Sequence, residues 1–572
     1  MKGIIFTLNS KYIHSSLAPW CLYTACKAYC KEETTLSVAE GTVNGNLEET
    51  VHKLLNEKPD FIAFACYIWN REKILTLCKE IKKFSPGTTV ILGGPEVAYD
   101  QKHILLNHPY VDYVLSGEGE IILPKLLDSL TRGEVPDGID GVSFRKGDEF
   151  IIKSEAVGET FDYPSPYCEE YLNTLGGRIA YIESSRGCPY SCAYCLSGRC
   201  GKVKSKSLEQ TKSELLLLSQ SGTKTIKFVD RTFNCNNDRA VDILRFINEN
   251  HGKSIPEDVC FHFEISADIL KDSFISEVSR ADKGVFQFEA GIQSFNESTL
   301  SAIGRKSNSE KLCENITKLV SLRNCHIHTD LIAGLPEETL QSFTEGFNKS
   351  YLLGADMLQL GFLKLLHGSQ LRDDSTFSVN FSATPPYEVI STATMSQSDL
   401  DILRTAEKEV DRLHNSGRFR RTLGYVFEST RLTPFELFYF IGRKLEKLLP
   451  SHGAPLDRYT DALFDALMSI EGTDRDTLRD AMLYDRIATN SSGIFPKRLI
   501  IPDKRLKKVK SALTDAFPTE KSTNRSVAVL YSKKCVIFCD YEEKDKVTGE
   551  YSVKELPFDF FGETFFDFDI DK

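Results

Sequence analysis

Short apolar runs alternate with amphipathic stretches over the first 132 residues of the chain. Five runs have the length and β-branched content of buried strands, and they occupy residues 3–8, 35–40, 60–66, 88–94 and 111–117. Helical periodicity falls between them, at 16–31, 47–57, 70–84, 98–107 and 119–131. This α/β pattern predicts a flavodoxin-like doubly wound parallel sheet, which we expect to form a domain over residues 1–135.

The ligands of a doubly wound sheet lie beyond the carboxyl ends of its strands. Those positions read NSKYIHSS after the first strand, YIWN after the third, GGPE after the fourth and GEGE after the fifth. The glycines allow a large ligand to approach the backbone closely. No G-x-G-x-x-G sequence is present, so a dinucleotide site is not expected.

A second β-α series begins after a stretch that is rich in turn residues. Residues 136–178 carry a hairpin signal and then several prolines, which together predict a linker. Six strands then alternate with helical segments and predict a partial (β/α)6 barrel over residues 179–375. These strands lie at 179–185, 225–233, 260–268, 286–294, 326–336 and 357–366. The remaining residues, 376–572, predict a mostly helical domain with a β hairpin.

Composition and charge are those of an ordinary globular protein. The net charge of −11 does not favour nucleic acid as a partner, and the basic run at 497–510 is typical of a solvated helix face. No apolar run reaches the roughly 18 residues needed to span a bilayer, and the N-terminus lacks a signal-peptide pattern. Most of the sixteen cysteines are scattered singly. We therefore expect a cytoplasmic protein without a membrane partner.

Four cysteines fall within thirteen residues in the segment ESSRGCPYSCAYCLSGRC, residues 183–200. Cys188, Cys192 and Cys195 have C-x3-C-x2-C spacing, whereas a structural zinc site usually takes two well separated pairs of ligands. Three thiolates on one loop would suit an iron-sulfur cubane whose fourth iron stays open to a small molecule. A disulfide, a zinc site that includes Cys200 and a chance cluster remain alternatives. The position after the first barrel strand favours an active-site loop.

The segment RGCPYSCAYC resembles the signature loop of the radical S-adenosylmethionine (radical SAM) superfamily. KFVDRTFN (227–234), FEISADIL (263–270), EAGIQSFNESTLSAIGRKSN (289–308) and DLIAGLPEETLQSF (330–343) follow it in the order of the superfamily's SAM contacts. They are most similar to the branch that includes oxygen-independent coproporphyrinogen oxidase and the cobalamin-dependent members. The resemblance implies that Cys188, Cys192 and Cys195 ligate a [4Fe-4S] cluster whose open iron binds SAM.

The same resemblance implies several polar contacts to SAM. A carboxylate suits the ribose hydroxyls, and the guanidinium of an arginine suits the methionyl carboxylate. Each residue also has a plain alternative, such as an Arg305–Glu310 ion pair or an Asp330 that caps a loop. Strand two lacks the usual glycine-rich stretch, which makes Asp230 the departure from the family pattern. The implied cofactor-binding residues are Tyr194, Asp230, Glu264, Gln293, Arg305 and Asp330.

The N-terminal sheet, joined to such a barrel, is similar to the cobalamin-binding domain of B12-dependent radical SAM enzymes. The cobalamin motif D-x-H-x-x-G is reduced here to YIHSSL, with His14 but neither the aspartate nor the glycine. That aspartate normally orients the histidine, so ligation of cobalt by His14 and cobalt without a protein histidine are both open. The implied cobalamin contacts are Tyr12, His14, Tyr67, Trp69, Gly93, Gly94, Glu96, Gly117 and Glu118.

Nearly the whole chain, including PPYEVI and NSGRF in its C-terminal part, resembles B12-binding radical SAM proteins with a C-terminal DUF4080 domain. This resemblance implies a [4Fe-4S] cluster, SAM and cobalamin, and an electron donor such as flavodoxin or ferredoxin. It implies reductive cleavage of SAM to a 5'-deoxyadenosyl radical and methylation of an unactivated carbon. Rearrangement, cyclisation or methylthiolation with the same cofactors, and a non-catalytic iron-sulfur or cobalamin sensor, are the alternatives. The resemblance indicates no substrate.

Overall fold

The structure is a computed structural model that describes residues 1–200, 202–450, 453–502, 504–518 and 525–562 of the chain. Over these residues, no helix combines the length and the apolar character needed to cross a bilayer. Two mainly parallel sheets and a largely helical region follow one another along the sequence.

The first sheet and its helices occupy the N-terminal part of the chain. In chain order they are β1 (Lys2–Asn9), α1 (Ala18–Tyr29), β2 (Thr35–Thr42), α2 (Leu47–Asn56), β3 (Phe61–Ala65), α3 (Arg71–Phe84), β4 (Thr89–Gly93), α4 (Pro95–Ala98), α5 (Gln101–Asn107), β5 (Tyr113–Leu115), α6 (Gly119–Thr131), β6 (Val142–Lys146) and β7 (Glu149–Ile151).

The strand order β2-β1-β3-β4-β5-β6-β7 confirms the predicted doubly wound, flavodoxin-like sheet, because β1 to β5 run parallel. All five residues of β3 are buried, as expected for a strand with helices on both faces of its sheet. The order reverses between β1 and β3, and ligands of such sheets bind at this switch point. The loops after β1 and β3 therefore border the expected ligand crevice.

The hairpin that the sequence assigns to a linker belongs to the first sheet. β6 pairs antiparallel with β5, with Phe144 opposite Tyr113, and β7 pairs with β6. Phe144 and Val142 are buried in the core. The turn signal correctly predicts a hairpin but carries no information about the sheet edge on which it pairs.

The second sheet and its connections come next. In chain order they are α7 (Glu169–Leu172), β8 (Ile179–Ile182), β9 (Ser185–Arg186), β10 (Lys204–Ser205), α8 (Leu208–Ser219), β11 (Thr225–Phe228), α9 (Asn237–Asn250), β12 (Cys260–Ile265), α10 (Asp272–Ser279), β13 (Phe286–Gln293), α11 (Glu297–Ala302), α12 (Ser309–Leu322), β14 (His326–Ala333), α13 (Leu340–Leu352) and β15 (Met357–Phe362).

Six of these strands form one parallel sheet in the order β15-β14-β13-β12-β11-β8, which confirms the partial (β/α)6 barrel. Side chains alternate strictly along β13 and β14 between buried and partly exposed positions. The buried set is apolar, as in Phe286 and Phe288, and packs with aromatic side chains such as Phe263 and Phe274. The other set, which includes Glu289, is largely polar and faces the inside of the barrel.

The loop after β1 joins the first sheet to the edge of the barrel. The backbone N–H of Ile179 donates to the carbonyl of Ile13 at 2.8 Å, and Ser15 N–H donates back to Ile179 O at 3.3 Å. The buried Arg178 donates to the carbonyls of Tyr12 and His14 at 3.0 and 2.6 Å. This loop therefore lies against β8, the strand that precedes the cysteine segment.

The C-terminal region consists of helices and two small antiparallel sheets. Its elements are α14 (Gln370–Asp373), β16 (Val379–Phe381), β17 (Val389–Thr392), α15 (Gln397–Glu409), α16 (Arg420–Ser429), α17 (Pro434–Leu448), α18 (Leu456–Leu467), α19 (Arg475–Thr489), α20 (Leu506–Ala516), β18 (Ser526–Leu530), β19 (Cys535–Cys539) and β20 (Lys554–Pro557).

The predicted C-terminal hairpin is the first part of a three-stranded sheet, because β20 pairs with β19. The helices pack directly on the barrel. Phe347 of α13 lies between Phe435 and Phe438 of α17, with ring centroids 5.6 and 6.1 Å apart. The C-terminal helices and the barrel therefore share one apolar core.

Candidate cofactor site

The cysteine loop leaves the carboxyl end of β8 between two short paired strands. Arg186 of β9 lies opposite Lys204 of β10, which closes the base of the loop. Gly187 has φ +100°, and a Cβ there would lie 2.5 Å from the carbonyl oxygen of Lys202. Only glycine fits this entry to the loop.

The three predicted cluster cysteines are free thiols on this loop, which decides against a disulfide. Cys192 is buried, and Cys188 and Cys195 are half-buried. The N–H of Cys195 donates to Cys192 O at 3.0 Å, so these two residues form a tight turn. Burial raises the pKa of the Cys192 thiol, which a metal bound to the sulfur would offset. The side chain of Cys200, the alternative zinc ligand, lies outside the described residues.

The cysteine loop also makes backbone hydrogen bonds with segments from later in the chain. Ala193 N–H donates to Ile303 O at 2.9 Å, and Leu371 N–H donates to Ala193 O at 2.8 Å. Burial raises the pKa of Tyr194, the aromatic residue before the last cysteine. These contacts fix the backbone of the loop, from which three closely spaced thiolates would ligate one cluster.

The side chain of Asp230, a predicted SAM contact, is occupied by hydrogen bonds within the chain. Its side chain is 2% exposed, and its carboxylate accepts hydrogen bonds from the N–H and hydroxyl of Ser184 and from the hydroxyl of Ser185, at 2.6 to 2.7 Å. Burial raises its pKa, whereas the hydrogen bonds from both serines lower it. Asp230 therefore positions the segment that leads into the cysteine loop.

Glu264 lies at the end of β12, where the sequence predicts a contact to the SAM ribose. Its side chain is 35% exposed, and Oε1 lies 3.6 Å from Nη1 of Arg231. Burial raises its pKa to about 7, against the opposing charge of Arg231. Glu264 is therefore a carboxyl group that faces the barrel interior and changes charge near neutral pH.

Gln293 and Arg305 lie together beside the cysteine loop. Arg305 donates to the carbonyl of Gly291 at 2.5 Å, and its Nη1 lies 3.9 Å from the sulfur of Cys192. No ion pair with Glu310 is present among the described residues. Gln293 has φ +70° at a bulge in β13, and a Cβ at Gly291 would lie 2.2 Å from the Gln293 side chain.

Two polar atoms of this pair lack hydrogen-bond partners among the described residues. They are Gln293 Oε1 and Arg305 Nε, and both are shielded from solvent. Buried polar atoms nearly always have partners, so the pair fits a ligand with hydrogen-bond donors and a carboxylate. The amino and carboxylate groups of SAM have this chemistry.

Asp330 is part of a polar group on the inner face of the barrel. Its Oδ1 lies 3.0 Å from Nε2 of His328, whose Nδ1 lies 3.7 Å from Oε2 of Glu289. His262 lies on the other side of Glu289, at 3.1 Å. Burial raises the pKa of Asp330. It would lower that of His328, but the neighbouring carboxylates raise the His328 pKa above its ordinary value.

Sequence reasoning missed His262, Glu289 and His328. The signal lies in the alternation of FHFE (261–264), FQFEAG (286–291) and HIHTD (326–330), which places polar residues at every second position. Alternating residues share one face of a strand. Because these polar positions pair across neighbouring strands, the barrel interior is charged.

Two aromatic side chains follow β3 at the switch point of the first sheet. Tyr67 and Trp69 stack with ring centroids 4.5 Å apart and an interplanar angle of 5°. Trp69 is 48% exposed and so does not belong to the core, and its Nε1 donates to Leu8 O at 3.0 Å. Tyr12 is exposed on the adjacent loop, with its ring over Arg178. These rings offer an apolar surface where a corrin is expected.

His14 lies between the first sheet and the barrel. Its Nδ1 lies 2.7 Å from the hydroxyl of Tyr181 on β8. Burial lowers the His14 pKa, with smaller effects from Lys227, Lys11 and Arg178. The imidazole is therefore neutral at pH 7, and the Tyr181 hydroxyl is a hydrogen-bond partner that can orient the ring.

The glycines after β4 and β5 are required by the backbone itself. Gly94 has φ +106°, and a Cβ there would lie 2.5 Å from Cys66 O. Gly117 has φ +108°, and a Cβ there would lie 2.1 Å from Ala156 O. Gly93, in contrast, has no contact of this kind, since an added Cβ would be 3.7 Å from Leu115. Close approach of a ligand is therefore not needed to explain Gly94 and Gly117.

The side chain of Glu96 is committed to an internal contact rather than to a ligand. Glu96 is 5% exposed, accepts from the hydroxyl of Tyr387 at 2.7 Å and pairs with Arg71 at 3.2 Å. Arg71 Nη1 also donates to the Tyr387 hydroxyl at 2.8 Å. Glu96 therefore fastens the first sheet to the segment after the barrel.

Glu118 is committed in the same way. It accepts from Lys204 Nζ, the Tyr163 hydroxyl and Gly158 N–H, each at 2.6 Å. Burial would raise its pKa, but these hydrogen bonds lower it below its ordinary value. The neighbouring Glu120 pairs with Arg186 at 2.8 Å. The start of α6 is thus tied to the base of the cysteine loop, and side-chain contacts from Glu96 or Glu118 to cobalamin are not supported.

Comparison with known families matches the parts of the chain separately. The B12 binding domain matches residues 4–127, the radical SAM superfamily matches residues 182–348, and a protein family of unknown function (DUF4080) matches residues 375–538. The chain is a B12-binding radical SAM protein with a DUF4080 region. Its first two domains imply cobalamin, a [4Fe-4S] cluster and SAM as cofactors.

Several relatives resemble this B12-binding radical SAM protein over about half of its length. The cobalamin-dependent radical SAM methyltransferase TokK of Streptomyces tokunonensis is 29% identical over 308 residues. The 2-(S-pantetheinyl)-carbapenam-3-carboxylate methyltransferase of Streptantibioticus cattleyicolor is 28% identical over 326 residues. Each match covers 50% of this chain and 44% of the relative. The chain therefore spans less than half the length of these relatives.

Solved structures share the fold at low identity. The cobalamin-dependent SAM radical enzyme OxsB covers 91% of this chain and 82% of its own, with a TM-score of 0.60 and 15% identity. The radical SAM methyltransferase TsrM of Kitasatospora setae covers 68% of this chain and 79% of its own, with a TM-score of 0.53 and 16% identity. The fold of this B12-binding radical SAM protein is thus that of cobalamin-dependent radical SAM enzymes.

Proposed function

We propose that the chain is a cobalamin-dependent radical SAM methyltransferase that acts on an unactivated carbon. The observation that carries this proposal is the contact between the cysteine loop and the ligand-binding edge of the first sheet, through Glu118, Glu120, Arg186 and Lys204. When bound, the cluster and SAM supply a 5'-deoxyadenosyl radical, and cobalamin supplies a methyl group. Two relatives named as methyltransferases support this choice of reaction.

The proposal gives distinct tasks to residues around the cysteine loop. Cys188, Cys192 and Cys195 hold three irons of the cluster. Arg305, whose side chain reaches within 3.9 Å of the Cys192 sulfur, holds the methionyl carboxylate of SAM. Glu264, at the end of β12 beside β13, accepts hydrogen bonds from the ribose hydroxyls.

We expect cobalamin to contact aromatic side chains of the first sheet rather than charged groups. Tyr67 and Trp69 would support the corrin, with Tyr12 at the neighbouring loop and the backbone after β4 and β5 alongside. His14 is a candidate for the lower face of cobalt, since a neutral imidazole is the form that binds metals. The Tyr181 hydroxyl would then accept from Nδ1–H and leave Nε2 for the metal.

An electron donor is required in addition to the substrate. We propose a flavodoxin or ferredoxin, and the cytoplasm as the compartment, because the described cysteines are free thiols and a reduced cluster needs reducing conditions. Neither a membrane nor nucleic acid is proposed as a partner.

Anaerobic reconstitution with iron, sulfide and hydroxocobalamin tests the proposal. The reconstituted chain, supplied with dithionite and CD3-labelled SAM, is expected to transfer deuterium into cobalamin and then into products of a metabolite extract. A rearranged product without deuterium would favour cyclisation or rearrangement instead. A bound cluster and cobalamin without any SAM-derived product would favour the sensor. Arg305→Gln, which removes the proposed contact to the methionyl carboxylate, is expected to weaken SAM binding. Glu310→Gln is its matched control, because Glu310 is an exposed helix residue.

A further inference from the structure

Two imidazoles and two carboxylates face one another inside the barrel, and only Asp330 among them is a predicted SAM contact. His262 lies on β12, Glu289 on β13, and His328 and Asp330 on β14. Glu289 is directly beside His328 in the parallel register, and Asp330 follows two residues later on the same face. Three adjacent strands therefore place these groups on one face of the interior, at successive levels of the strand register.

The donor atoms of three of them converge. One donor atom from each of Glu289, His328 and Asp330 lies within 4.8 Å of the other two. The closest separations are 3.0 Å between His328 Nε2 and Asp330 Oδ1, and 3.7 Å between His328 Nδ1 and Glu289 Oε2. In a tetrahedral site with metal–ligand bonds of about 2.1 Å, the donor atoms are about 3.4 Å apart. Asp330 lies nearest Nε2 of His328 and Glu289 lies nearest Nδ1, so side-chain rotations are needed to bring the three donors around one ion.

The closest pair in the group is an ion pair whose atoms are not aligned for a hydrogen bond. His328 Nε2 and Asp330 Oδ1 are shielded from solvent and lie 3.0 Å apart, and neither meets hydrogen-bond geometry with any described residue. A metal ion bound by both atoms is the alternative to this direct ion pair. Buried polar atoms without a partner call for an explanation such as a bound ion.

We propose that Glu289, His328 and Asp330 bind one divalent transition-metal ion inside the barrel. One imidazole nitrogen and two carboxylate oxygens suit zinc, manganese, iron(II) or cobalt(II), and the imidazole argues against magnesium and calcium. His262 Nε2, 3.1 Å from Glu289 Oε2, orients the Glu289 carboxylate from outside the ligand set. This site is separate from the cysteine loop and uses none of its thiolates.

Three protein ligands leave coordination positions that face the barrel interior. A metal ion with open positions binds and polarises an oxygen or nitrogen of a small molecule. The ion would therefore hold a substrate through a carboxylate, hydroxyl or amine group in the same interior as the proposed radical chemistry. This last step rests on the proposed function, whereas the metal site does not.

The metal alone tests the site, without substrate or activity. The full-length chain with Cys188, Cys192 and Cys195 changed to Ala removes the competing thiolate cluster site. After chelator treatment, this protein is titrated anaerobically with Co2+, and metal content is measured after gel filtration. We expect one equivalent of bound cobalt, with the weak visible bands of nitrogen and oxygen ligands and no sulfur-to-cobalt charge-transfer band.

His328→Gln and Glu289→Gln, made in the same background, are expected to weaken cobalt binding by more than about tenfold. His326→Gln is the matched control, because His326 lies two residues earlier on the same strand face and outside the convergent set. Circular dichroism and thermal unfolding verify that each variant is folded. Any of three results would overturn the site. The protein retains no cobalt, its spectrum shows sulfur-to-cobalt charge-transfer bands, or the folded His328 and Glu289 variants bind cobalt as well as the parent protein does.

Failure of this site and failure of the proposed function are distinguishable. If cobalt does not bind but the wild-type chain still cleaves SAM, only the metal site is wrong. If cobalt binds through Glu289 and His328 but SAM is not cleaved, the metal site stands and the proposed function falls.

Discussion

At the scale of single residues, burial and charge separate groups that position the backbone from groups that face a ligand. Asp230 is a buried carboxylate with three short hydrogen bonds to Ser184 and Ser185. Glu264 has no such partners and lies partly exposed at the mouth of the barrel. The two carboxylates look alike in sequence, each at a strand end, but only Glu264 is available to a ligand.

Glu264 predicts a pH dependence of SAM binding. Burial raises its pKa to about 7, so the group is mostly neutral at pH 6 and mostly ionised at pH 8. If the carboxylate binds the ribose and the sulfonium charge, SAM affinity of the reconstituted protein rises about tenfold over this range. Equilibrium binding of SAM at pH 6, 7 and 8 measures the effect. Glu264→Gln is expected to bind SAM weakly at every pH, and an unchanged slope in this variant would exclude Glu264 as the titrating group.

Asp230 predicts a different outcome. Asp230→Ala leaves buried donors of Ser184 and Ser185 without an acceptor, which costs about 2 to 3 kcal/mol of unfolding free energy. The same change loosens the entry to the cysteine loop, so reconstituted iron content is expected to fall. Urea unfolding and iron analysis measure both. Asp148→Ala in the exposed β6–β7 turn is the control, and an Asp230→Ala protein with wild-type stability and iron content would contradict the positioning role.

At the scale of secondary-structure elements, the strand ends of the first sheet carry two kinds of feature, which are turns that require glycine and aromatic side chains. Gly94 and Gly117 have positive φ angles and lie against neighbouring carbonyl oxygens. Tyr67 and Trp69 form a stacked pair in which Trp69 is exposed and Tyr67 is half-buried. A stacked pair with an exposed tryptophan at a switch point is therefore the strongest feature for cobalamin on this edge.

Trp69 predicts a loss of cobalamin affinity on truncation. Trp69→Ala removes the ring face and is expected to weaken hydroxocobalamin binding by up to about tenfold, whereas Trp69→Phe retains most of it. Equilibrium dialysis followed by cobalamin absorbance measures both. Phe84→Ala is the control, because Phe84 is an equally exposed ring at the far end of α3. Equal losses for Trp69→Ala and Phe84→Ala would remove Trp69 from the site.

At the scale of the whole molecule, the DUF4080 region and the segment before it make hydrogen bonds with both cofactor domains. Tyr387 reaches the Arg71–Glu96 pair of the first sheet. Leu371 bonds to Ala193 in the cysteine loop, and Arg199 of the loop donates to the carbonyl of Gly368. The segment 363–389 therefore contacts both cofactor regions at once.

The Tyr387 contact predicts coupled stability effects. Tyr387→Phe leaves a buried carboxylate oxygen with one fewer donor and is expected to cost about 1 to 3 kcal/mol of unfolding free energy. Combined with Glu96→Ala, the loss is expected to be smaller than the sum of the single losses, because both changes remove the same hydrogen bond. Denaturant unfolding of the four proteins measures this coupling. Additive losses would show that the contact does not join the two regions.

The sequence predicted both sheets and the cysteine loop because these features depend on local periodicity and spacing. The sheet edge that the hairpin extends depends on the pairing of Phe144 with Tyr113, 31 residues away. The side-chain roles of Glu96 and Glu118 depend on partners 40 to 291 residues away. The Glu289 and His328 cluster was visible only as alternation in separate strands. Its convergence required the register of β13 against β14.

Cleavage of SAM tests the central claim most directly. The anaerobically reconstituted chain, with SAM and dithionite, is expected to form 5'-deoxyadenosine and methionine in equal amounts. The variant with Cys188, Cys192 and Cys195 changed to Ala is expected to form neither. Product formed equally by this variant, or no product from a wild-type chain with a full [4Fe-4S] cluster, would contradict the account.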